Sequence, residues 1–275
     1  MSADTSIPAP AGQPVRADAG PAARQAAVAQ KSRRAFYVFS AVTLAVGGFL
    51  ILNGGRQHPA ITQHMGTFGT PGFYTHFAQM MMAPDWYELH AQIMWGPVVA
   101  ALGALGMVSL VRSRGDSRWS TLGLIALSMG TVLWTLVYCF DGFISPKLAP
   151  LLLNSSPELE PAMNGVFGSS QWAAITIATP GWILMSAGQL FLGVSVLITR
   201  SVGRGRGLST VVGVGGILLG VSSLLAWATG SFDPGPMISP WWLMNAYAGA
   251  IWFLIAAVWV FLHRRTAEDA TATAS

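Results

Sequence analysis

Between Pro84 and Arg114 the chain reads PDWYELHAQIMWGPVVAALGALGMVSLVRSR. Asp85, Glu88, His90 and Gln92 stand at the entrance of an apolar run that closes on arginine. An ionisable group at or inside a membrane boundary is costly, so each is a candidate for proton handling or ligand binding. Helix geometry sorts the four. Asp85, Glu88 and Gln92 are spaced by three and four and share one face. His90 lies about 200° round from Glu88, at about 100° per residue, and shares its face with Tyr87, Met94 and Pro97. Glu88 and His90 therefore do not chelate one ion from a single straight helix. Asp85 also suits a purely structural role, because an acid in a first helical turn is favoured by the free N–H groups there.

Two further acids stand at the ends of apolar runs. Asp141 and Asp233 each directly follow one, at the end of a helix whose dipole disfavours an anion. Compensation is expected from Lys147, Arg56, a loop N–H or a bound cation; the plain alternative is a solvated turn aspartate beside Gly and Pro. Gln92, Gln189 and Asn245 fall in corresponding halves of three apolar runs and would meet in one polar cluster, or else serve as ordinary interhelical hydrogen bonds worth about 0.6 kcal/mol each. The candidate ligand or proton site is thus Glu88, His90, Asp141 and Asp233, with Gln92, Gln189 and Asn245 beneath; no catalytic residue is assigned.

His58, His64, His76 and His90, with Met65, Met80, Met81, Met82 and Met94, raise a copper reading, since thioethers and imidazoles suit Cu(I). No short HxH or MxxM ladder supports it, and His58 and His64 fall on different faces if helical. Haem between two helices wants a histidine well inside each, and only His90 comes near. No metal and no cofactor are therefore expected. Cys139 is the only cysteine, which excludes an intramolecular disulfide and a cysteine metal cage. There is no P-loop, GxSxG, HExxH or CxxC.

The elements that position these groups follow from composition. The 275 residues are 52% hydrophobic and only 9% charged, with a mean hydropathy of +0.51. A soluble domain carries about 25% charged residues, so the chain reads as a membrane protein. Six apolar runs of about 20 residues are expected to span: about 35–53, 89–111, 122–140, 175–198, 211–228 and 241–262. Residues 1–32 read as a disordered tail, 33–265 as the membrane domain and 266–275 as a short second tail. A brief surface helix is expected at about 157–164, where Ser156-Pro157-Glu158 has the order of a cap, a first-position proline and a first-turn acid.

Sidedness follows from the cations. Thirteen of the fifteen Lys and Arg lie before the first run, between runs two and three, between four and five, or after the sixth; Arg56 and Lys147 are the exceptions. The positive-inside rule puts both termini in the cytoplasm of what reads as a bacterial inner membrane protein. Six of the eleven acids (Asp85, Glu88, Asp141, Glu158, Glu160 and Asp233) and four of the histidines then gather outside, together with two long connections rich in aromatics and methionine. The net charge of +4 is accordingly no nucleic-acid signal. Phe140-Asp141 followed by Ile144-Ser145-Pro146 parallels Phe232-Asp233 followed by Ile238-Ser239-Pro240, which suggests three repeated helical hairpins. Gly103, Gly106, Gly213, Gly216 and Gly220 read as close-packing devices.

The expected fold is therefore an all-α polytopic bundle of six membrane helices with structured outer loops. Its only named partner is the lipid bilayer. The function is either accessory, or binding or transport of a small-molecule or lipid ligand through an outward polar cavity; an enzyme acting on a lipid or isoprenoid with Glu88 or Asp141 as general acid is the alternative.

Overall fold

The structure is a computed structural model describing residues 20–59, 66–200, 206–228 and 240–272. Every regular element among them is helical: α1 (Pro21–Gln57), α2 (Pro71–Met81), α3 (Trp86–Arg112), α4 (Arg118–Tyr138), a π turn (Cys139–Ile144), α5 (Ser145–Leu153), α6 (Glu160–Ile198), α7 (Arg206–Ala228) and α8 (Pro240–Ala272). Six helices are long and apolar enough to cross a membrane, counting α4, the π turn and α5 as one continuous rod. The six form a closed circuit in which α1 packs on α3 and α8, α4 on α3 and α6, and α7 on α6 and α8.

Small residues set the distances in this circuit. A Cβ on Gly47 would lie 2.5 Å from the backbone of Gly96 and Ala100, and one on Gly103 would lie 2.6 Å from the Leu44 amide. The backbones of α1 and α3 are thus in direct contact along most of their length, as expected where helices in lipid associate by close packing. Gly213 and Gly216 play the same part between α6 and α7.

Two expectations change. Residues 21–32 are helical, because α1 begins at Pro21 with proline at its favoured first position. The short helix near 157–164 and the fourth span are one helix, α6, of 39 residues. No proline interrupts 165–179, and Gly168 is held in line by the Tyr74 ring of α2, which a Cβ there would meet at 2.6 Å. At about 1.5 Å per residue α6 is about 58 Å long, nearly twice the apolar thickness of a bilayer. Its N-terminal part therefore stands clear of the spanning layer and joins α2 and α5 in a cap with its own core of Phe68, Phe73, Phe77, Trp86, Leu152 and Phe167.

Candidate functional site

The end of α1 is set by Pro59. A residue before proline is pushed out of the α region, and His58 accordingly has extended backbone (φ −63, ψ 126). The helix stops at Gln57 and the His58 ring turns toward α3 and lies beside His90, with centroids 5.0 Å apart. One turn earlier, Gly54 permits the contact: a Cβ there would lie 2.7 Å from Ile93 Cγ1 and 2.9 Å from the Leu89 carbonyl.

His90 occupies the buried face of α3 with Trp86, Leu89, Ile93 and Met94. Its ring is fully buried, stacks on Trp86 at 4.2 Å between centroids, and lies 5.6 Å from the Tyr138 ring. Nδ1 donates to the Trp86 carbonyl at 2.8 Å. In the neutral ring that places the proton on Nδ1 and a lone pair on Nε2. Nε2 points at Asp141 Oδ2, 3.1 Å away.

Asp141 comes from the π turn that continues α4. An extra residue in a helical turn recurs at functional sites because it redirects a side chain without ending the helix. Here the turn is fastened by the Trp86 indole, whose Nε1 donates to the Asp141 carbonyl at 3.1 Å. It rests directly on the histidine, since a Cβ on Gly142 would meet His90 Cβ at 2.6 Å. The Asp141 side chain is 16% exposed, and its Oδ1 is buried with no hydrogen-bond partner among the described residues.

His58, His90 and Asp141 thus each present one ligand atom, all within 4.8 Å of one another. Nδ1 of His58 lies 2.9 Å from the Pro59 carbonyl, so it too carries its proton on that side and keeps a lone pair on Nε2. Burial and the neighbouring His90 hold the His58 pKa below its ordinary value, against smaller opposing effects of Asp141 and the Pro59 carbonyl.

His90 and Asp141 come together, and His90 rather than Lys147 is what faces the acid. Lys147 sits over the Tyr87 ring at 5.4 Å, and Arg56 is exposed. Glu88 and Asp85 are exposed on the opposite face of α3. Gln92, Gln189 and Asn245 do not meet. Gln92 accepts from Asn53 at 2.7 Å, Gln189 donates to the Gly249 carbonyl at 3.3 Å, and Asn245 accepts from Ser222 at 2.6 Å. Each amide ties a different pair of helices: Gln92 joins α3 to α1, Gln189 joins α6 to α8, and Asn245 joins α8 to α7. Asp233 and His64 lie outside the described residues.

His58 is the member that sequence spacing did not single out. A usable signal was the depth of each group. His58 lies 24 residues beyond Arg34, His90 22 before Arg112 and Asp141 23 beyond Arg118. At about 1.5 Å per residue all three are about 33–36 Å from the arginine-rich end, just past the far edge of an apolar layer about 30 Å thick. No family model, curated protein or solved structure matches this chain.

Proposed function

We propose that this chain is a multi-pass protein of a bacterial cytoplasmic membrane that binds a small cation at the extracytoplasmic mouth of its bundle. The clustering of cations at one end supports cytoplasmic termini by the positive-inside rule, which leaves His58, His90 and Asp141 outside. One observation carries the binding reading. In the neutral tautomers favoured by the Trp86 and Pro59 carbonyls, His90 Nε2 and the Asp141 carboxylate it faces are both acceptors, His58 keeps a lone pair on Nε2, and among the described residues no other side-chain donor bonds to the Asp141 carboxylate. Lone pairs and a carboxylate this close repel unless a positive charge lies among them.

Binding is favoured over passage. The space below the cluster is filled by Trp134, Tyr138, Trp182, Met185 and Leu192, a packed apolar core and not a polar path. A cation there ties the ends of α1, α3 and α4 together, which suits an accessory or ligand-holding role. The lipid-enzyme reading draws less support, since Glu88 is exposed and Asp141 faces His90.

The test is heat denaturation of the detergent-solubilised full chain with sodium, potassium, magnesium, calcium, zinc, cobalt or tetramethylammonium ions. At least one should raise the midpoint, and the rise should vanish in Asp141→Asn. If no cation shifts the wild-type midpoint, the proposal fails.

A further inference from the structure

The geometry points to a divalent transition metal, of the class that takes two imidazoles and one carboxylate, as the cation held by His58, His90 and Asp141. This rests on the cation-site reading above and adds the identity of the ligand.

The donor set decides among cations. Calcium and magnesium are hard ions that collect oxygen ligands. Imidazole nitrogen suits zinc, iron, nickel and copper, and two histidines with one carboxylate are a recurrent set for Zn(II) and Fe(II). The spacing also fits. Bonds of about 2.0–2.1 Å in a tetrahedral arrangement put ligand atoms about 3.3 Å apart. The His90–Asp141 separation of 3.1 Å is already close to that, and the full set lies within 4.8 Å. The remaining closure falls to His58, which sits in an extended cap beyond the end of α1.

The surroundings have the form expected of an outer ligand shell. Metal-bound histidines typically donate their other nitrogen to a carbonyl or carboxylate, which fixes the tautomer. Both histidines do so, to Pro59 and to Trp86. The Asp141 backbone is held by the Trp86 indole, and its Oδ1 is a buried oxygen with no partner among the described residues. A simple His90 imidazolium paired with Asp141 accounts for neither that oxygen nor the second imidazole. Three protein ligands also leave a coordination position, reachable where the Asp141 side chain is exposed.

The experiment uses the full chain in detergent, stripped with a chelator and titrated with Co(II), with Zn(II) as competitor. Wild type should bind one equivalent of Co(II), develop visible d–d bands, and lose them to Zn(II). His58→Ala, His90→Ala and Asp141→Asn should each lose more affinity than the roughly 10–100-fold expected for Trp86→Phe, which removes only an outer-shell bond. Size-exclusion profile and helical circular dichroism report whether each variant folds. His58→Ala, lying outside the helix, carries the comparison if the other two do not fold. Wild type binding neither metal, or all variants binding as wild type does, overturns the inference. If another cation protects wild type against heat while Zn(II) and Co(II) do nothing, this inference falls and the cation-site reading stands; if no cation acts, both fall.

Discussion

At the scale of single residues, the two ends of the bundle hold their buried acids differently. Asp141 faces a histidine, whereas Asp116 at the arginine-rich end is surrounded by donors. It accepts from the backbone amides of Arg118, Trp119 and Ser120 and from the Ser195 hydroxyl, at 2.5–3.3 Å. Burial alone would raise its pKa, but these four bonds outweigh it and hold the carboxyl below its ordinary value. The unfolded chain, with a value of about 3.9, then binds the proton more readily than the folded one. Asp116 therefore contributes stability at neutral pH that disappears as pH falls through the folded value. Removing this cap in Asp116→Ala should cost about 0.5–2 kcal/mol at pH 7. The denaturation midpoints of wild type and variant, followed in detergent from about pH 7 to pH 3, should converge at the acid end. Local sequence carries the three amides that Asp116 accepts from, but neither acid's long-range partner. The Asp116 partner on α6 is 79 residues away and the partner of Asp141 is 51 away, whereas motif spacing reads only neighbours.

At the scale of elements, the cluster depends on two backbone devices, the π turn and the glycine seam between α1 and α3. Gly54→Val should collide with Leu89 and Ile93, costing about 1–3 kcal/mol as an overpacked contact. It should also weaken cation binding although no ligand is altered, because it moves His58 away from His90. Gly72→Ala, with open space around its Cβ position, should leave both stability and binding unchanged. Thermal midpoints and cation titration of the two variants make the comparison. Gly142→Ala, pressed against His90, should behave like Gly54→Val. The helices themselves were readable from apolar run length, but the π turn was not: Phe140-Asp141-Gly142 looks like a chain reversal, and it is packing against Trp86, His90 and α6 that accompanies its helical form. The merging of the expected surface helix into α6 has the same origin, a tertiary contact from Tyr74 that local propensity does not contain.

For the whole molecule, hydropathy and cation placement predict six spans and their sidedness, because both depend on the bilayer and not on long-range packing. In a Cys139→Ser background, Glu160→Cys should react with an impermeant thiol reagent on intact cells, and Ser117→Cys should react only after permeabilisation; the reverse pattern would invert the bundle. The convergence of His58 with His90 and Asp141 needed the helix circuit as well, since the three come from separate segments and share only their depth. That convergence is the centre of the account, and X-ray absorption at the metal edge of the Co(II)-loaded full chain probes it directly. The account predicts a first shell of nitrogen and oxygen at about 2.0–2.2 Å with outer scattering from two imidazoles, falling to one in His58→Ala. A shell of oxygens alone, or a spectrum unchanged by that substitution, would contradict it.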